Sequence, residues 1–256
     1  MLGPTSGGSM SDAKIEFHFR PIPILIAVLL TFGLPYVAQE VVDTSRHYSH
    51  LVPGFADRLG WLIAQHTVLL ILGLVAIGIA KMIVPADYGL GLQDERSYVA
   101  VALLWGVIFG VLLTLIDAAP SLLAHVAPKL DPSQRDNVPG WLAYNAFYAG
   151  TTEEVPFRAL VVTYLAATMP GAWRVGHYTM NAAGVVAAFI YAGSVAGFLT
   201  LPLLIAIGQF VCQFALGVLY AYWLEKSKSV IAPIIGHNVS SVTQYALMLG
   251  LATLLV

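Results

Sequence analysis

Two adjacent glutamates and an arginine one turn later, Glu153-Glu154-x-x-x-Arg158, stand inside an apolar run that extends from Trp141 to Met169. Ionisable groups at membrane depth are expensive to keep out of water, so each is a candidate for function. Neighbouring residues on a helix point about 100° apart, so the two carboxylates are expected to serve different purposes. Glu154 and Arg158, four residues apart on one face, can neutralise each other as an ion pair. Glu153 then points elsewhere without a counter-ion close in sequence, and a carboxylate so placed suits proton transfer. Pro156 removes a backbone donor from the Thr152 carbonyl, which predicts a kink and a small hydrated cavity. A second polar set, Gly236-His237-Asn238-Val239-Ser240-Ser241, lies in the last apolar run. His237 and Ser241 share a helical face, Asn238 lies on the adjoining one, and Gly236 allows close backbone approach. His66, alone in the second apolar run, is read as a satisfied structural histidine.

These groups need elements to hold them, and the composition says what kind. Hydrophobic residues make up 58% of the 256 and charged residues 10%, whereas a soluble domain carries about 25% charged residues. A surface this apolar must face lipid, so the chain is read as an all-α, polytopic transmembrane bundle. Runs long enough to span are Ile22–Ala38, Leu62–Val84, Val99–Ile116, Trp141–Met169, Ala182–Thr200, Leu203–Trp223 and Val230–Val256, about seven helices at roughly 20 residues each. The last run is long and holds Gly236 and His237, so it reads as a broken helix or two short ones. Residues 1–20 read as a polar arm, 21–256 as the transmembrane domain, and the first helix as an uncleaved span rather than a signal peptide. With the N-terminus inside, cytoplasmic segments carry seven Lys/Arg (14, 20, 81, 96, 174, 226, 228) against four opposite (46, 58, 129, 135), which favours a cytoplasmic N-terminus. Gly106-x-x-x-Gly110 and Gly193-x-x-x-Gly197 read as helix-packing steps. His47, His50 and the charges over Asp43–Arg58 read as a solvated loop.

Several functions are excluded or disfavoured. A net charge of −2 supplies no basic field for nucleic acid. The one cysteine, Cys212, excludes intrachain disulfides and multi-cysteine metal sites. There is no phosphate-binding loop, zinc helix or dinucleotide fingerprint, so neither metal nor cofactor is expected. The expected partners are the bilayer and a peptide or membrane protein.

Glu153-Glu154-x-x-x-Arg158, followed about eighty residues on by His237 at the end of Ser229-Val230-Ile231-Ala232-Pro233-Ile234-Ile235-Gly236-His237, resembles the CPBP family. That family comprises type II CAAX prenyl proteases and bacteriocin-processing or self-immunity proteins, built on a membrane-embedded, glutamate-dependent endopeptidase core. Asp87-Tyr88-Gly89-Leu90-Gly91-Leu92 is similar to a segment preceding that core, so the likeness covers about 86–247. The resemblance implies that Glu153 activates water, that His237 stabilises the oxyanion, and that Glu154, Arg158, Asn238 and Ser241 support the site. It departs at two positions. A histidine is expected where Phe189-Ile190-Tyr191-Ala192-Gly193 has Gly193, and an asparagine where Ser241 stands four residues after His237. Two function classes follow: an intramembrane endopeptidase, or a catalytically impaired member of the same fold acting as a membrane scaffold. A rhomboid-like dyad of Ser194 and His237 lacks the Gly-x-Ser-Gly context.

Overall fold

The computed structural model describes residues 15–17, 19–46, 58–92, 97–175 and 178–255. His47, His50, most of the polar arm and most of the loop after Arg46 lie outside them. Seven long helices are present among the described residues: α1 (Pro21–Arg46), α2 (Arg58–Ile83), α3 (Val99–Leu123), α5 (138–168), α6 (Ala182–Val195), α7 (Leu203–Ser227) and α8 (Ile231–Leu254), with a short α4 (Pro132–Asp136) before α5. The all-α membrane bundle is therefore the architecture, and the chain is an integral membrane protein. Four helices, α1, α2, α3 and α7, are long and apolar enough by themselves to cross a bilayer. Glu154 and Arg158 of α5 and Asn238 and Ser240 of α8 are buried, and polar residues of this kind lower the overall hydropathy of both helices.

The outer surface is apolar. Leu29 on α1, Ile79 on α2, Leu104 on α3 and Leu204 on α7 are all exposed, as expected of helices facing hydrocarbon rather than water. The interior contains the polar atoms: Glu154, Arg158 and Thr152 are almost completely buried.

Small residues set the closest helix crossing. A Cβ on Gly106 would lie 2.8 Å from the Gly236 carbonyl oxygen, and one on Gly110 would lie 2.6 Å from Thr243 Cβ, so α3 and α8 pack nearly backbone to backbone. The second glycine pair behaves differently. A Cβ on Gly193 meets nothing within 4 Å, and Gly197 has φ +67°, so it turns the chain after α6 and forms no crossing. The last apolar run is one unbroken helix, not the broken helix or two short ones expected from Gly236 and His237; Pro233 sits in its first turn, where its missing N–H leaves no bond unmade.

One feature is not helical. β1 (Ile15–Phe17), β2 (Gly171–Val175) and β3 (Tyr178–Asn181) form a three-stranded antiparallel sheet in the order β1-β2-β3, pairing Glu16 with Ala172 and Trp173 with Met180. Pro170 ends α5, and the aromatic and β-branched side chains after it favour extended backbone. Nearby, the Asp87–Leu92 segment docks onto the start of α8: the Val230 amide donates to the Gly89 carbonyl at 2.9 Å and the Ser229 hydroxyl to the Gly91 carbonyl at 2.7 Å. On the opposite side, Arg58 donates to Asp131 at 2.6 Å. Hydrogen bonds from the Ser133 hydroxyl and amide, with Arg58 beside them, hold the Asp131 carboxyl below its usual range.

Candidate active site

Helix α5 changes register at the polar cluster. It is π-helical over Tyr144–Tyr148 and again over Val155–Val162, with an α-helical turn, Ala149–Glu154, between them. Pro156 has no N–H to offer the carbonyl four residues back, and a wider turn accommodates that loss. Gly73 of α2 makes room for the proline ring: a Cβ there would lie 3.0 Å from Pro156 Cβ.

The two glutamates diverge as their angular separation requires. Glu154 turns into the core, where its Oε2 lies 3.1 Å from Arg158 Nε. Neither atom makes a hydrogen bond among the described residues, so the contact is an ion pair with poorly aimed donors. Arg158 also lies over the Tyr191 ring at 4.3 Å. The other oxygen of Glu154 takes a hydrogen bond from His237 Nδ1 at 2.7 Å. A carboxylate only accepts, so the proton is on Nδ1 and Nε2 faces the other way. Glu154, Arg158, His237, Tyr191, Ser241 and Gln244 line a polar cavity of about 40 Å³, the scale of a single water.

Glu153 turns outward. Its side chain is 23% exposed and stands between two imidazoles: His66 Nε2 is 3.7 Å from Oε1, and His237 Nε2 is 4.0 Å from Oε2. Tyr191 OH donates to Oε2 at 2.9 Å. Glu153 opens into a groove of about 310 Å³ bounded by Phe32 and Tyr36 of α1, His66 of α2, Phe157 of α5 and Ser194 of α6. Phe32 and Tyr36 on its α1 wall are exposed, so the groove leads from the carboxylate to the outer surface of the bundle.

His66 is the residue that reading the sequence missed. It is buried and hydrogen-bonded, as a structural histidine would be, but to the polar cluster itself: Nδ1 lies 2.8 Å from Thr152 Oγ1 and Nε2 lies 3.0 Å from Tyr144 OH. A histidine inside an apolar run already qualified as a candidate. Its isolation in sequence hid the signal, because its neighbours come from a helix some eighty residues away.

Asn238 is nearly buried and its Oδ1 accepts the Gly150 amide at 2.8 Å, joining α8 to α5. Ser241 faces the inner cavity, not the groove. A further polar group, Asp117 of α3, accepts from Gln209 of α7 and Gln244 of α8, both at 2.7 Å, and ties three helices together.

Residues 135–243 match the model of the type II CAAX prenyl endopeptidase Rce1-like family. The matched segment is under half of the chain and is similar to that family. The match supports the resemblance to the CPBP family and, in general terms, a CAAX-protease-like intramembrane function. No curated protein and no solved structure matches the chain. The Rce1-like segment contains Glu153, Glu154, Arg158, Gly193, His237, Asn238 and Ser241. His66, Asp87–Leu92 and Asp117 lie before it.

Within the Rce1-like segment, Gly193 is not brought to the cluster. Its Cβ direction is open, and Phe189, one turn earlier on the same face of α6, is 60% exposed. The inward residue of that stretch is Tyr191, which contacts both Glu153 and Arg158. No group of three or more His, Cys, Asp and Glu side chains with metal-holding geometry occurs among the described residues.

Proposed function

We propose that this protein is an intramembrane endopeptidase that hydrolyses a peptide bond with a water activated by Glu153, near the membrane surface. The observation that carries the reading is the environment of Glu153. Arg158 is engaged by Glu154, so the Glu153 carboxylate stays at the groove with one oxygen 3.7 Å from His66 Nε2 and the other 4.0 Å from His237 Nε2. In this reading Glu153 takes a proton from water and the water oxygen bonds the carbonyl carbon. The proton then passes to the leaving nitrogen as the carbon–nitrogen bond breaks. His237 has Nδ1–H committed to Glu154, so its imidazolium form presents Nε2–H to the oxyanion. Glu154 and Arg158 hold that imidazole, Asn238 fixes the approach of α8 to α5, and Ser241 supports the inner cavity. The catalytic unit belongs to the transmembrane domain 21–256, with the polar arm 1–20 outside it and the N-terminus in the cytoplasm.

A second reading, a catalytically impaired scaffold or accessory subunit, is favoured by Gly193 and Ser241, which stand where the family pattern has histidine and asparagine. The two separate in one experiment: the purified full-length protein in lipid nanodiscs, given fluorogenic farnesylated CAAX peptides and their unprenylated counterparts. The endopeptidase reading expects cleavage that Glu153→Gln abolishes. Absence of cleavage, together with a cellular role that survives Glu153→Gln, would establish the scaffold.

A further inference from the structure

The groove decides which imidazole meets the water. Glu153 and His66 both line the groove between α1, α2, α5 and α6, whereas His237 lines the much smaller inner cavity beside Glu154 and Arg158. Helix α6 supplies no imidazole, because Gly193 faces away and Tyr191 occupies the inward position. We infer that His66, from a helix outside the Rce1-like segment, is the second catalytic residue: it holds the attacking water together with Glu153. This inference rests on the endopeptidase reading.

The hydrogen bonds around His66 prepare its ring for that task. Thr152 Oγ1 has one proton, and it lies within bonding distance of its own helix carbonyls, Ala149 at 2.9 Å and Tyr148 at 3.0 Å. With that proton spent on the backbone, Thr152 accepts from His66 Nδ1–H at 2.8 Å. The lone pair of the neutral ring is therefore on Nε2, the atom 3.7 Å from Glu153 Oε1. Two acceptors at that separation can share one water whose oxygen lies about 2.8 Å from each. Tyr144 OH is 3.0 Å from the same nitrogen and donates to it, so in this inference the water takes over the site of that hydrogen bond. The water gives one hydrogen to Glu153 and directs the other at His66, which leaves an oxygen lone pair aimed along the groove. After attack, the proton held by Glu153 goes to the leaving amine and the neutral His66 is unchanged.

The mounting of His66 is rigid. Gly73 lies against Pro156 two turns along α2, and Thr67, the next residue, is hydrogen-bonded to Tyr148 of α5. A histidine held in this way can replace one from α6, because geometry at the water and not the helix of origin determines the chemistry.

The test uses full-length protein in nanodiscs with the farnesylated CAAX peptide. His66→Gln should lower kcat by about 10²- to 10⁴-fold with KM changed by no more than about threefold, and should remove one limb of the pH–rate profile. Thr152→Val keeps the side-chain shape but removes the acceptor for Nδ1, and should lower kcat by about tenfold with an altered pH profile. If His66→Gln stays within about threefold of the native kcat while Glu153→Gln abolishes cleavage, the role of His66 is overturned and the Glu153 reading stands. Cleavage that survives Glu153→Gln, or no cleavage by the native protein, overturns both. Should His66→Gln fail to fold, Thr152→Val decides: a native kcat and pH profile in that variant overturns the inference.

Discussion

At the scale of single residues, adjacent carboxylates do opposite things because a helix aims them differently. Glu154 is fully buried, so its charge depends on Arg158 and on the His237 donor. Removing one member of a buried pair leaves the other uncompensated and costs about 3–5 kcal/mol. Arg158→Ala is therefore expected to reduce the yield of folded protein in membranes sharply. Glu153 is partly exposed and its amide isostere still accepts the Tyr191 hydroxyl, so Glu153→Gln should leave yield nearly intact. Fluorescence-detected size-exclusion profiles of the two variants measure this. Equal losses would show that the roles of the two carboxylates are divided wrongly.

At the scale of elements, the site depends on how closely α8 approaches α5. Gly150 is the contact point: an added Cβ would sit 2.7 Å from His237 Cβ and 2.8 Å from Asn238 Oδ1. No rotamer change relieves a clash with a Cβ, so Gly150→Ala must push the helices apart, at about 1–3 kcal/mol for overpacking. The displaced His237 would also lose its alignment with Glu153. Gly33 of α1 is a control, since a Cβ there meets nothing within 4 Å. Gly33→Ala should keep or slightly raise the thermal midpoint, because alanine favours a helix over glycine by about 1 kcal/mol. Gly150→Ala should lower it by several degrees. Unchanged midpoints for both would mean that the α5–α8 contact is looser than the structure has it.

At the scale of the molecule, the charge balance of the connecting segments predicts which way the bundle is oriented. With seven Lys/Arg on the N-terminal side against four opposite, the expected arrangement has Lys226 in the cytoplasm and Arg135 outside it. Because Cys212 is the one native cysteine, single-cysteine probes can be built on Cys212→Ser. On intact cells, a membrane-impermeant maleimide should label Arg135→Cys directly and Lys226→Cys only after permeabilisation. The reverse pattern would invert the orientation, and equal labelling of both would refute the crossing of α5, α6 and α7 between them.

Composition by itself determined the membrane bundle, because a chain with 10% charged residues has no other way to cover its surface. Helical angles were enough to separate Glu153 from Glu154 and to pair Glu154 with Arg158, since those relations are local. The Gly106-x-x-x-Gly110 step was legible as a crossing for the same reason, although its partner, α8, was not. What only the tertiary structure decided was non-local. The β-hairpin and its pairing with Ile15–Phe17 depend on segments over 150 residues apart coming together. Motif spacing singled out Gly193, yet in three dimensions α6 is rotated so that Tyr191 faces the cluster and Gly193 does not. His66 looked isolated because the residues around it in sequence are apolar, and its polar partners, Thr152, Tyr144 and Glu153, come from another helix. Within hydrocarbon a polar side chain must find its partners across helices, so the packing of α2 against α5, not the order of residues, decides what His66 does.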